Sequence, residues 1–397
     1  MRIVDVNEFY SPTGGGVRTY VDRKMAILAE QGHELIVVAP GRETRVEERP
    51  GGGRVHYLKS ASMPFDANYG LFWEAKPIHA LLDAIDPDVV ENCSPWRPAW
   101  IVADWNGRAV KSFFMHNDNV EAYAMRWFER VAERGRIERA FAWYTRYMNR
   151  FLARFDTVIA NGPALAERVA ARGLRVDGAV PLGIERRYFS PSLRDEGVRA
   201  DLLRQCGLPV EARLLIGIGR HHPEKRWRVV IEGVQRAGRA LPIGLVLLGQ
   251  GMETRRLERL AARGGHIRLL PPEYDRNRLA TIMASADAVI HGSDAEPFGL
   301  VLYEALACGA PLIVPDAGGA AAAAGPAYAE AYRARDAAAC AAAIGRLFAR
   351  DQGALRAAAL RAAGAVRSDV DHAQALVAHY ERVIGTQSVN RPAAVAR

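Results

Sequence analysis

Two glutamates, Glu296 and Glu304, flank the run Pro297-Phe298-Gly299-Leu300-Val301-Leu302-Tyr303. A carboxylate in such a setting can accept hydrogen bonds from sugar hydroxyls. The Phe298-Gly299-Leu300 corner offers free backbone N–H groups and the positive end of a helix dipole to an anion. Further upstream, Arg220 and Lys225 lie in the loop Gly219-Arg220-His221-His222-Pro223-Glu224-Lys225-Arg226. An arginine supplies a fork of donors and a lysine a point charge, a combination suited to a diphosphate. In the first half, His116 and Asp118 follow the apolar run Lys111 to Met115, and Gly14-Gly15-Gly16 precedes a helical stretch. Backbone amides in a glycine loop are free to bind phosphate.

These residues need rigid elements behind them. Ile3–Val6 reads as a strand, 17–31 as a helix and Glu34–Ala39 as a second strand, a βαβ unit of the kind that builds parallel sheets. Residues 40–75 read as irregular, with Gly51-Gly52-Gly53 a surface turn. Strands are expected at 88–91, 111–115, 156–161, 214–218, 245–248, 266–270, 286–291 and 311–314. Polar groups at the C-terminal ends of parallel strands are where α/β folds bind ligands. That rule picks out His116, the Arg220–Lys225 loop and the corner before Leu300. In 126–154, eight arginines face three glutamates. Ile137, Phe141, Tyr144, Met148 and Phe151 recur at helical spacing, which predicts one buried face. Trp127 and Phe128, with the arginines before Gly135, form a candidate basic and aromatic surface patch.

The motifs in this order resemble the retaining glycosyltransferases of family four. The matching pieces are the two glutamates around Pro-Phe-Gly, the following Ala307-Cys308-Gly309-Ala310-Pro311, the Gly-Arg-x-x-x-x-Lys of 219–225 and the glycine loop opening the chain. The resemblance runs from about residue 1 to 385. It implies the α/β GT-B fold, two Rossmann-like parallel-sheet domains facing a central cleft. An acceptor domain would span 1–192 and a nucleotide-sugar domain 193–368. A helix at 369–385 would return to the first domain, and 386–397 would be a loose tail. By the same resemblance, His116, Glu296, Arg220 and Lys225 are the catalytic candidates. Gly15, Gly16, Asp118, Phe298, Gly299, Leu300 and Glu304 join Arg220 and Lys225 in substrate binding. The implied reaction is transfer of a hexose, with retention and without metal, from a nucleotide-diphosphate sugar to a lipid or glycan hydroxyl. The alternatives are a non-catalytic nucleotide-sugar binder and another GT-B activity such as an epimerase.

Composition narrows the partners. With 53 Lys and Arg against 45 Asp and Glu, the net charge of +8 favours anionic partners, a phosphate-bearing substrate or an anionic membrane surface. No nucleic-acid module is present, and no nucleic-acid partner is expected. Asp86-Pro87-Asp88 matches the bare Asp-x-Asp of metal-dependent transferases, but it sits where a strand begins, and neither a metal nor a cofactor is expected. There is no apolar run of membrane-spanning length and no signal peptide, and the four cysteines fit no disulfide or metal spacing. The expected setting is cytoplasmic, with the inner face of a membrane as a candidate surface.

Overall fold

The computed structural model describes residues 1–11, 16–63, 66–120, 128, 132–264, 266–296 and 298–390. The chain divides into two compact units, one of 1–181 with 370–397 and one of 182–369.

In the first unit the described strands are β1 (Arg2–Val6), β2 (Glu34–Gly41), β3 (Arg45–Glu48), β4 (Arg54–Lys59), β5 (Ala61–Met63), β6 (Asp66–Leu71), β7 (Val89–Asn92), β8 (Val110–Met115), β9 (Thr157–Ala160) and β10 (Gly178–Ala179). Eight of them form a sheet in the order β10-β9-β8-β7-β1-β2-β4-β3. All pairs are parallel except β3 with β4. The central strands are mostly apolar and buried, as a sheet covered on both faces requires, with Asp5, Glu91 and Asn92 as buried polar exceptions. Ile137, Tyr144, Met148 and Phe151 are buried against this sheet, as their spacing predicts, while Phe141 is only partly covered. Phe141 separates two helices, Arg134–Ala140 and Ala142–Leu152, so the stripe is carried by a broken element.

The second unit is a six-stranded parallel sheet. Its strands are β11 (Arg213–Ile218), β12 (Ile243–Leu248), β13 (Ile267–Leu270), β14 (Ala288–Ile290), β15 (Leu312–Pro315) and β16 (Ala329–Tyr332), in the order β13-β12-β11-β14-β15-β16. The chain winds outward from β11 in both directions, so β11 and β14 border a switch point. Loops leaving two such strands diverge and open a crevice at their C-terminal ends.

Three expectations need correction. Residues 40–75 are not irregular: β3 and β4 form a hairpin around Gly51–Gly53 that extends the sheet, and β5 and β6 make a separate ribbon. β3 lies at the sheet edge and is mostly charged, and β4 alternates buried Val55 and Tyr57 with polar residues, so no apolar run marks either. The division falls at 181/182, not at 192. Ile184 bridges Ser368, and Arg186 donates to the carbonyls of Ala363, Gly364 and Val366, which ties this segment to the second unit. Gly183 has to be small there, since a Cβ would lie 2.0 Å from the Ser368 oxygen. Finally, the last helix runs Asp369–Asn390, so the start of the expected loose tail is helical. This helix belongs with the first unit. Tyr380 donates to Glu91 at 2.6 Å, and the His379 ring shares a hydrogen bond with the Thr157 hydroxyl.

Candidate active site

At the switch point of the second unit, two loops bring Lys225 and Glu296 together. The loop after β11 turns through Pro223–Lys225 and reverses at Arg226, whose φ of 50° lies in the left-handed region. The loop after β14 carries His291 to Gly299. Lys225 Nζ donates to Glu296 Oε2 at 2.5 Å, and His291 Nε2 lies 3.3 Å from the same oxygen. Both members of the pair are largely enclosed, with 17% and 16% of their side chains exposed. Burial by itself would raise the Glu296 carboxyl; the Lys225 ammonium and His291 outweigh it and hold the group below the usual carboxylate range. Burial pushes the His291 imidazole down, so it is neutral near pH 7. The loop is held from behind: Tyr332 donates to the His291 carbonyl at 2.6 Å, and Arg226 and Arg335 both pair with Asp294.

Arg220 is exposed and forms a salt bridge with Glu224 at 2.9 Å, a screened contact that a stronger anion can replace. Gly299 caps the helix Leu300–Ala307 with φ 82°, a conformation that strains any residue with a side chain, and no side chain caps that helix. The Leu302 N–H is taken by the Gly299 carbonyl at 2.8 Å, and no side chain caps the N–H groups of Leu300 and Val301 ahead of it. Pro297 lies outside the described residues, whereas Phe298 and Leu300 flank the cap as expected.

Glu304 is separate from the Lys225–Glu296 pair. Arg276 Nη2 donates to Glu304 Oε1 at 2.7 Å, and Arg276 Nε contacts Glu185 Oε2 at 3.3 Å. Burial raises the Glu304 carboxyl and Arg276 opposes that rise. Neither Arg276 nor His291 stands out in the sequence as a site residue. Arg276 looks like a surface position at a polar helix start, and its partner is 28 residues away. His291 did carry a signal, because it ends a buried strand just as His116 does.

In the first unit, His116 follows β8. Its ring lies edge-on to Tyr20, with centroids 5.4 Å apart, and 4.7 Å from Phe114. Burial, with Lys24 and His372 nearby, pushes it down to about 3, so it is a neutral imidazole. Asp118 is otherwise engaged. Val120 donates its N–H to Oδ1, and Oδ2 takes Arg172 and Arg168. Gly15 lies outside the described residues; Gly16 opens the helix Gly16–Glu30. Asp86 pairs with Arg108, and Asp88 accepts the Arg2 amide.

Below these residues is a buried polar core. Lys24 and Glu91 form an ion pair with side chains 3% and 4% exposed. Asp5, beside them, is pushed up to about 6 by burial. Glu8, bonded to Ser94, is pushed up to about 7 for the same reason.

Comparison with known proteins settles the family. Residues 14–180 match the model for "Glycosyltransferase Family 4", and residues 198–363 match "Glycosyl transferases group 1". The chain belongs to this glycosyltransferase family. Among curated relatives, it is 29% identical over 322 residues to a GDP-mannose-dependent alpha-(1-6)-phosphatidylinositol dimannoside mannosyltransferase of Mycobacterium tuberculosis, covering 79% of each chain. A GDP-mannose-dependent alpha-mannosyltransferase of Mycolicibacterium smegmatis is 28% identical over 80% of each. Among solved structures, sucrose-phosphate synthase from Thermosynechococcus elongatus superposes with a TM-score of 0.77 at 19% identity, covering 97% of this chain and all of that one. Trehalose 6-phosphate synthase from Burkholderia multivorans gives 0.69 at 16%, covering 100% and 99%. The fold of this glycosyltransferase is GT-B.

Proposed function

We propose that this glycosyltransferase is a retaining, metal-independent mannosyltransferase that takes mannose from GDP-mannose to a hydroxyl of a lipid-linked or glycan acceptor. The observation that carries the reading is the Lys225–Glu296–His291 cluster beside the open N-terminus of the Leu300–Ala307 helix, in a chain whose relatives are named for GDP-mannose. As the sugar leaves, negative charge grows on the diphosphate. Lys225, Arg220 and the helix start supply fixed positive charge there, the work a divalent metal does in other transferases. Glu296 holds the Lys225 ammonium in place. It also stands ready to accept from a sugar hydroxyl. The acceptor oxygen bonds to the anomeric carbon on the face from which the diphosphate leaves as the carbon–oxygen bond to the diphosphate breaks, and the hydroxyl proton passes to the departing diphosphate oxygen, which gives retention with no covalent carboxylate intermediate. In the first unit, His116 offers a neutral imidazole to a substrate hydroxyl. The chemistry is tested by turnover over GDP-mannose, UDP-glucose and ADP-glucose in the presence of a chelator. GDP-mannose is expected to be used best, with the anomeric configuration kept in the product by NMR and no loss on chelation. Preference for another donor, inversion or chelator sensitivity would each remove its part of the reading.

A surface of the first unit supports an acceptor held in an anionic membrane. Trp96, Phe128 and Trp143 are 45%, 42% and 54% exposed. Phe128, Phe141, Trp143, Tyr144 and Trp96 form a continuous ribbon, each ring within 6.3 Å of the next. Arg136, Arg139, Arg146 and Arg150 are exposed on the same two helices. Aromatic rings with cations around them suit the headgroup layer of a bilayer. The arginines at 126, 130 and 134 expected to share this patch lie in or beside the residues not described. No described helix is long and apolar enough to cross a membrane. Replacing Trp96 and Trp143 together with Ser is expected to weaken flotation with phosphatidylinositol vesicles by roughly tenfold or more, since each ring forfeits apolar burial. Unchanged flotation would move the docking surface elsewhere.

A further inference from the structure

We propose that Arg276 is a positioning residue that fixes Glu304 for the ribose of the donor nucleotide. This rests on reading the second unit as the donor half. Arg276 opens the helix Arg276–Ser285, whose N-terminus Asp275 caps through the N–H groups of Asn277 and Arg278. The guanidinium therefore starts from an anchored backbone. It is then held at both ends, by Glu304 at 2.7 Å through Nη2 and by Glu185 at 3.3 Å through Nε. Its charged face lies 4.8 Å from the centre of the Phe189 ring. A side chain held this way has lost most of its rotamer freedom before a ligand arrives, so ordering it costs binding little.

The consequence falls on Glu304. Its side chain is 11% exposed, and it is the fifth residue of the Leu300–Ala307 helix. An enclosed carboxyl without a cation would take up a proton and lose strength as an acceptor. Arg276 opposes that and occupies Oε1. No described residue donates a hydrogen bond to Oε2. One oxygen is pinned and the other is open, so the group is an oriented acceptor for hydroxyls of a vicinal diol such as the ribose 2′ and 3′ pair. Glu185 has a distinct part: it pulls the guanidinium from the far side and keeps Nη2 in line with Glu304.

The test is calorimetric titration of the full chain with GDP and with 2′,3′-dideoxy-GDP, for wild type, Glu304→Gln, Arg276→Gln and Arg276→Lys. The wild type is expected to favour GDP roughly tenfold, the worth of a hydrogen bond to a charged group. Glu304→Gln should bring that preference near one. Arg276→Gln should do the same while the dideoxy affinity stays within about twofold of wild type, because the lost energy belongs to the ribose contact alone. Arg276→Lys keeps the charge but not the fork, and should cut the preference at least about threefold; it decides the matter if the Gln variant fails to fold. Equal losses for both nucleotides, or an intact preference in the Arg276 variants, would overturn the positioning role. An intact preference in Glu304→Gln, or no GDP binding by wild type, would instead overturn the ribose reading beneath it.

Discussion

Lys225→Ala is expected to lower kcat/KM by about a thousandfold and to abolish most of the affinity for the nucleoside diphosphate, more than any other single change in the second unit. The size follows from two effects of one deletion. On the proposed mechanism the ammonium facing the departing diphosphate is lost, and removal of one preorganised charge or donor typically costs about 10² to 10³ in rate. In addition, Glu296 is left without its cation in an enclosed loop, with the carbonyl of Glu296 still bonded to the Gly319 amide at 2.6 Å and so unable to swing away freely. That stranded carboxylate would face a dianionic ligand. The two effects can be separated with Lys225→Ala/Glu296→Ala. If repulsion by Glu296 contributes, the double variant binds GDP better than Lys225→Ala while turning over no faster. Steady-state kinetics and titration on the three proteins provide the readout, and a Lys225→Ala protein with wild-type GDP affinity would remove Lys225 from the donor site.

Glu91→Ala is the change expected to cost the most stability. It leaves the Lys24 ammonium in a nearly solvent-free position, and breaking a buried pair from one side costs about 3–5 kcal/mol. Tyr380 loses its acceptor as well, which loosens the final helix from the sheet. In urea, the first unit should unfold at clearly lower denaturant than in wild type. Removing both charges, as Lys24→Met/Glu91→Leu, should recover most of the loss, because a buried ion pair is worth little more than an apolar pair of similar volume. A Glu91→Ala protein with an unshifted midpoint would mean that water reaches Lys24.

The sheet architecture could be read from the sequence because parallel strands buried on both faces leave unbroken apolar runs, such as Leu214–Ile218 and Leu245–Leu248. The β3–β4 hairpin escaped because an edge strand with alternating charge, Arg45-Val46-Glu47-Glu48, resembles a loop in composition. The same division holds for the site. Arg220, Lys225, Glu296 and Glu304 are local to short motifs, and motif spacing exposes them. Arg276 is fixed by a contact that exists only after α/β winding brings two helix starts together, and no local pattern announces it. The exposed rings of Trp96 and Trp143 were hidden for a related reason: periodicity identifies the buried face of a helix, whereas solvent exposure of an aromatic depends on what packs beside it.

The chain ends where it began. Residues 370 onward rejoin the unit that starts at Met1, and Ile184 exchanges hydrogen bonds with the backbone at both sides of Ser368, from its N–H to the Arg367 oxygen and from the Asp369 N–H to its own oxygen. In topological terms, 182–369 is an insert whose two ends are clasped to each other. This unit is thus a cassette. A chimera that exchanges this unit between relatives has to cut at both 181/182 and 369/370, carrying the clasp along with the insert, while a single junction near 192 would split the clasp between two parents and set Arg186 of one against the backbone of the other.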